Sequence, residues 1–336
     1  MRIDVLNPDG RDAPVDYRHS VGAPDASVHP PVNYWAYAAA TGGRFHQSLS
    51  TLTEPSDAVL VLLRRRNGAA LKALAALKSA GRRVLVSWKE TGTHQIEQQT
   101  RWWLQRATLR RALKLADGAI ATTEASIAEY RRFASANFPV HNIPTPYPVD
   151  VPAWDFSVPV EQRRGIFVGT REFDVPSRRH ADALQLAAEL ARKARVPVTV
   201  MNTDGPRARR RVEDLMRGVE LRLIEQRLPY PDYLRMLAAH RVVLQRDASQ
   251  VPGQIAGDAL LCRIVAVGGN GSSERVAFPE YASLNDDPAT LLQAALRLLT
   301  DESAYREAVT RSQQLAAKNL SFTWARQELA RRIATG

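Results

Sequence analysis

The sequence predicts an α/β protein of two domains, each built on a parallel sheet covered by helices. Three observations carry this. Strand-length apolar runs alternate with amphipathic helical runs along the whole chain, a proline-rich break interrupts the alternation near the middle, and the same rhythm restarts beyond it. The 336 residues are enough for two domains of ordinary size, and 45% hydrophobic residues can furnish a core for each.

The first half opens with a strand, Ile3-Asp-Val-Leu6, followed by strands at Ala58 to Leu63, Arg83 to Ser87 and Gly118 to Ala121. Helices are expected over Val32 to Ala40, Ala69 to Ala80 and, as one long element, Ile96 to Leu115. Leu71, Leu74 and Leu77 recur on one face of the second, the spacing that packs a helix on a sheet, and Gly81 stops it. Ile143 to Pro152 then carries four prolines in ten residues, which removes backbone donors and fixes an extended path, so it reads as the linker.

The second half repeats the pattern with strands at Arg164 to Gly169, Pro197 to Met201, Glu220 to Ile224, Arg241 to Leu244 and Ile264 to Val267. Helices are expected at Ala181 to Ala194, Pro206 to Arg217, Tyr230 to Ala239, Pro288 to Thr300, Glu302 to Leu315 and Thr323 to Ile333. The segment Gln250-Val-Pro-Gly253-Gln-Ile-Ala-Gly-Asp258 leaves a strand and runs into a helix, so Gln250 and Asp258 fall at the carboxyl edge of a parallel sheet. Open α/β sheets bind nucleotides at that edge.

No apolar run approaches the roughly 20 residues that span a bilayer, and the amino terminus reads as a strand without a signal peptide, so a cytoplasmic protein is expected. The single cysteine, Cys262, excludes disulfides and a multi-cysteine metal site, and its apolar surroundings predict a buried thiol. A net charge of +11 gives the surface a field that attracts phosphates, anionic lipids or nucleic acid.

Gln250, Gly253, Asp258 and Ala259 stand where the retaining family 4 glycosyltransferases carry Glu, Gly, Glu and Ala. Gly268-Gly-Asn-Gly-Ser-Ser-Glu274 resembles that family's glycine-rich loop, and Ile166-Phe-Val-Gly169-Thr-Arg171, with Arg178 and Arg179, resembles its diphosphate-binding segment. Asp117 to Ser126, Ile143 to Asp150 and Phe322-Thr-Trp324 add matches in the same order along the chain. The chain therefore resembles the GT-B glycosyltransferases. That resemblance implies two Rossmann-like domains facing each other across a cleft: residues 1–150 with a returning carboxyl-terminal helix, 317–336, as acceptor domain, and 151–316 as donor domain. Both family glutamates are altered, Arg263 replaces a usual Gly and Val265 a usual Pro.

The implied reaction is hexosyl transfer from a UDP- or GDP-linked sugar to an acceptor hydroxyl, retaining, with no cofactor and no metal. Arg171 with Arg178 or Arg179 would stabilise the leaving diphosphate, since guanidinium forks match phosphate oxygens and stay charged. Gly169 belongs to the same segment. Asp258 would meet the ribose, Gly253 would let the backbone approach the sugar, and Gln250 would bond sugar hydroxyls without carrying negative charge. By the same resemblance His94, Lys89 and Glu90, after the strand ending at Ser87, are the candidates for the catalytic group beside the donor sugar.

Acceptors compatible with the charge are a glycan, a lipid-linked sugar or nucleic acid. Two other readings stand beside this one: transfer to a hydroxylated DNA base, and a catalytically silent protein that kept the fold. The basic segments Arg64 to Arg66, Arg207 to Arg211 and, above all, Arg101 to Leu115 with Trp102 and Trp103 admit a membrane surface or nucleic acid as partner. They equally admit core tryptophans with a solvated arginine face.

Overall fold

A computed structural model describes residues 1–26, 29–64 and 67–334. The chain forms two compact units: Met1–Val151 with Gln250–Pro252 and Leu320–Gly336, and Pro152–Ser249 with Gly253–Asn319.

The first unit runs β1 (Ile3–Leu6), β2 (Val15–Asp16), α1 (Trp35–Thr41), β3 (Arg44–His46), β4 (Ala58–Leu63), α2 (Gly68–Ser79), β5 (Val84–Trp88), α3 (Thr93–Thr100), α4 (Trp103–Leu115), β6 (Gly118–Ala121), α5 (Glu124–Phe133) and β7 (Val140–Asn142). Its sheet has the order β2-β3-β1-β4-β5-β6-β7, parallel throughout except for the β2–β3 pair. β1, β4 and β5 are buried along their whole length, as central parallel strands are when helices cover both faces, and β4 is an uninterrupted aliphatic run.

The second unit runs β8 (Ile166–Gly169), α6 (His180–Ala194), β9 (Val198–Met201), α7 (Pro206–Leu215), β10 (Leu221–Ile224), α8 (Tyr230–Ala238), β11 (Val242–Leu244), α9 (Gln254–Leu261), β12 (Val265–Val267), α10 (Ser272–Ala277), α11 (Pro279–Ala282), α12 (Pro288–Thr300) and α13 (Glu302–Asn319). Its sheet is wholly parallel, ordered β10-β9-β8-β11-β12. The last helix, α14 (Phe322–Ala334), returns to the first unit: Phe322, Ala325, Leu329 and Ile333 are buried in one core with Trp35, Ala36 and Ala39 of α1. Both units are Rossmann-like, and α1 explains itself as a helix buried on every side.

The structure departs from the sequence expectation in several elements of the first unit. The helix read as Ile96 to Leu115 is two helices, because Trp102 adopts an extended backbone (ψ 148°). The broken ladder is satisfied locally: the Gln105 side-chain oxygen accepts from Trp102 N–H at 3.1 Å, and Arg106 Nε donates to the Thr100 carbonyl at 2.7 Å. β3, β7 and α5 were not expected. The proline-rich stretch packs on the first unit, with Ile143 and Tyr147 buried and Tyr147 N–H donating to Leu320 O at 2.7 Å. Within the basic run Arg64 to Arg66, Arg65 and Arg66 lie outside the described residues.

Candidate functional site

In the second unit the chain moves outward from β8 to β9 and β10, then crosses to β11 and β12 on the other side. The reversal falls between β8 and β11, the switch point at which loops diverge and leave a crevice beyond the strand ends. Two loops meet there, residues 170–179 and 245–253.

Arg178 joins them. Its Nη1 donates to Asp247 Oδ2 at 2.5 Å across 69 residues of sequence, and its Nε donates to Glu172 Oε2 at 3.1 Å. Asp247 is itself buried and accepts from Ser249 N–H at 2.7 Å. Ser177 and Ser249 hydroxyls lie 2.8 Å apart, and Ala248 N–H donates to Ser177 O at 2.8 Å, so the two loops are pinned together. His180 Nε2 donates to the Arg171 carbonyl at 2.7 Å, which holds the start of the first loop. The Arg171 side chain is exposed and has no ion-pair partner among the described residues.

Backbone strain collects in the same loops. Glu172 (φ 61°), Arg179 (φ 50°) and Gln250 (φ 50°) are left-handed without being glycine, asparagine or aspartate. Each such residue costs on the order of 1 kcal/mol or more. Two other arginines with positive φ, Arg195 and Arg263, follow the ends of α6 and α9.

The structure does not bring Arg179 into this cluster: its Nε pairs with Asp182 at 2.9 Å and its Nη1 with Asp286 at 3.3 Å. Gly169 closes β8, with Ile255 of α9 so near that a Cβ there would meet Ile255 Cδ1 at 2.9 Å. Asp258 is 2% exposed and its carboxylate accepts from the Tyr230 hydroxyl at 2.5 Å. Burial pushes its pKa up to about 7, against the pull of the Tyr230 and Tyr233 hydroxyls. Gln250 groups with the first unit.

The sequence reading gave no role to Glu172, Asp247, Glu274 or Arg246. Glu274, in the first turn of α10, is 1% exposed, and burial pushes its pKa up to about 8. Gln245 Nε2 donates to its Oε1 at 3.2 Å, while Oε2 has no hydrogen-bond partner. That oxygen occupies the space a side chain at Gly253 would fill: a Cβ there would sit 2.0 Å from it, and φ at Gly253 is +82°. Gly253 is thus glycine for both reasons, at the amino end of α9. Arg246 is 2% exposed, and its Nε and Nη2 lack partners, an arrangement costly for a cation. Being the cation next to Asp247 after a strand was its only sequence signal.

Glu274 makes stability depend on pH. Its folded pKa lies above the unfolded carboxylate value, so the folded state binds the extra proton between about 4.5 and about 8, and stability falls as pH rises through that window. Glu274→Gln is expected to be more stable than the parent by a margin that grows from pH 5 to pH 8 and is flat above, read from urea midpoints across pH.

In the first unit, Lys89 follows β5 and Asp12 follows β1. Lys89 Nζ lies 3.4 Å from Asp12 Oδ2 and 4.5 Å from the centre of the Tyr34 ring. Tyr34 Oη and Asn7 Nδ2 donate to the same Asp12 oxygen at 2.8 and 3.0 Å. Burial pulls the Lys89 ammonium below the ordinary lysine range, against the attraction of Asp12. Asp12, Tyr34 and Asn7 were not foreseen, because the loop after β1 gives no periodic signal. His94 is half-buried in the first turn of α3, and Glu90 is exposed. Among the described residues no group of three or more His, Cys, Asp or Glu forms a metal-sized cluster.

No family model matches the chain, and no curated protein does. Solved structures do. HepE from Anabaena, in complex with UDP, is 14% identical over 100% of both chains, with a TM-score of 0.61. Sucrose-phosphate synthase from Thermosynechococcus elongatus is 14% identical over 100% of this chain and 99% of its own, TM-score 0.62. An α,α-trehalose 6-phosphate synthase from Burkholderia multivorans is 12% identical over 85% of this chain and 73% of its own, TM-score 0.60. These neighbours are GT-B glycosyltransferases, and the fold of this chain is GT-B.

Proposed function

We propose that this protein transfers a sugar from a nucleotide diphosphate to an acceptor hydroxyl, with the donor held at the carboxyl edge of the second sheet and the acceptor by the first unit. The observation that carries the reading is Arg178, clamped by Asp247 and Glu172 at the switch point between β8 and β11, with Arg171 unpaired in the same loop. A diphosphate placed there displaces Glu172, the more exposed of the two carboxylates, and keeps Asp247 as the anchor that aims the guanidinium. Arg171 and Arg178 then stabilise the charge that develops on the leaving group, in the role a divalent cation takes elsewhere. The first turn of α6 adds backbone donors and the positive end of its dipole.

Glu274 supplies the carboxyl that Gln250 cannot. A protonated Glu274 beside Gly253 can donate a hydrogen bond to a sugar hydroxyl or a diphosphate oxygen, while Gln250 bonds sugar hydroxyls through its amide. Asp258 meets the ribose together with Tyr230, whose hydroxyl it already orients. In the first unit Lys89, held by Asp12 and Tyr34, positions the acceptor, a glycan, a lipid-linked sugar or a hydroxylated base, with His94 and Glu90 on the loop and helix that follow. By the family resemblance the reaction retains configuration: the acceptor attacks the face from which the diphosphate leaves, and a diphosphate oxygen takes the acceptor proton.

Incubation with UDP- and GDP-linked hexoses tests the reading. One donor is expected to raise the melting temperature and to release its nucleotide diphosphate slowly in water. A protein stabilised by none of them, and releasing nothing, is a silent GT-B scaffold.

A further inference from the structure

The large hydrophobic residues exposed among the described residues are Leu49 and three in a row: Trp102 (56%), Trp103 (73%) and Leu104 (59%). The extended backbone at Trp102 separates α3 from α4 and puts the trio at the first turn of α4. Solvent exposure of three consecutive large apolar side chains costs free energy that a soluble surface gains nothing from. The same helix is charged in one sense only. From residue 98 to 116 the sequence has Arg101, Arg106, Arg110, Arg111 and Lys114 and no acidic residue.

Several cations elsewhere on the surface are neutralised by a neighbouring carboxylate. Arg209 pairs with Glu213 and Glu225, Arg306 with Glu302 and Glu161, Arg235 with Asp232, and Arg331 with Glu328. Among the described residues, none of the five on α4 and its approach has a carboxylate at ion-pair distance. The helices beside α4 do not compensate: α2 adds Lys72 and no acid, its Lys78 is paired with Asp117 at 2.6 Å, and on α5 Glu129 is already paired with Arg132. Glu97 on α3 and Glu124 on α5 are the remaining carboxylates of these elements.

We propose that the α4 tip is a docking site for an anionic lipid surface: Trp102, Trp103 and Leu104 insert at the headgroup level, and the arginines behind them bind lipid phosphates. Tryptophan prefers that interface, and each basic residue near it adds about 1 kcal/mol of attraction. The attachment is peripheral, since no helix of the described residues is long and apolar enough to cross a membrane. A second copy of the chain is a poor occupant, because a two-fold contact would set five unpaired cations against five. Nucleic acid would use the tryptophans for stacking but leaves Leu104 without a role.

Vesicle flotation tests this, using phosphatidylcholine vesicles with and without phosphatidylglycerol. The parent is expected to float with the anionic vesicles alone, with a blue-shifted tryptophan emission. Trp103→Ser/Leu104→Ser and, separately, Arg110→Gln/Arg111→Gln should each weaken binding by about tenfold or more. All of these side chains are exposed, so circular dichroism and the donor-induced melting shift should be unchanged in both variants. Unaltered flotation of the variants, equal binding to neutral vesicles, or loss in the variants of self-association or duplex-DNA binding instead of vesicle binding would each overturn the proposal.

Discussion

Arg178→Ala is expected to destabilise the second unit by about 3 kcal/mol and to abolish the donor-induced melting shift. The mutation leaves Asp247 buried and without its cation, and breaking one side of a buried pair costs far more than the pair itself contributes. The two effects separate in a double variant. Arg178→Met/Asp247→Leu removes both charges, so most of the stability should return while donor binding stays lost. Urea denaturation measures the first and thermal shift with nucleotide sugars the second. A double variant that still binds its donor would show that Arg178 is only a structural clamp.

Gly253→Ala should be almost as damaging, by about 2 to 4 kcal/mol, although it adds a single methyl group. The new Cβ has to fit a left-handed backbone and to share space with Glu274 Oε2. Adding Glu274→Ala to Gly253→Ala removes the collision but not the backbone strain, so the double variant should recover part of the loss. If Gly253→Ala matches the parent in urea midpoint, Glu274 does not hold the position described, and its place in the donor site falls with it.

The strands were legible wherever they are aliphatic runs buried on both faces, as β4, β5 and β6 are. They were not where burial depends on a partner distant in sequence. β3 reads Arg-Phe-His and looks like loop. It is buried because Asp4, on β1, accepts from Arg44 N–H at 2.8 Å and lies 3.3 Å from the Arg44 guanidinium. The candidate donor site divides in the same way. The spacing of Gln250, Gly253 and Asp258 placed one loop at the sheet edge, and the arginine-rich segment placed the other. Which arginine joins the two loops was not in the sequence, since Arg178 and Arg179 differ only in the carboxylates they find, at 247 and 172 for one and at 182 and 286 for the other. Glu274 was visible only as the end of a glycine-rich loop, because its burial against Gly253 is a tertiary fact.

Arg171 offers the cleanest test, because its side chain is exposed and its loss should leave the fold unchanged. Calorimetric titration of the parent and Arg171→Ala with UDP and GDP is expected to show the preferred nucleotide bound about a hundredfold more weakly by the variant, a loss of about 2.7 kcal/mol, at an unaltered melting temperature in the absence of nucleotide. Equal affinity in the two proteins would contradict a diphosphate site at the β8–β11 switch point.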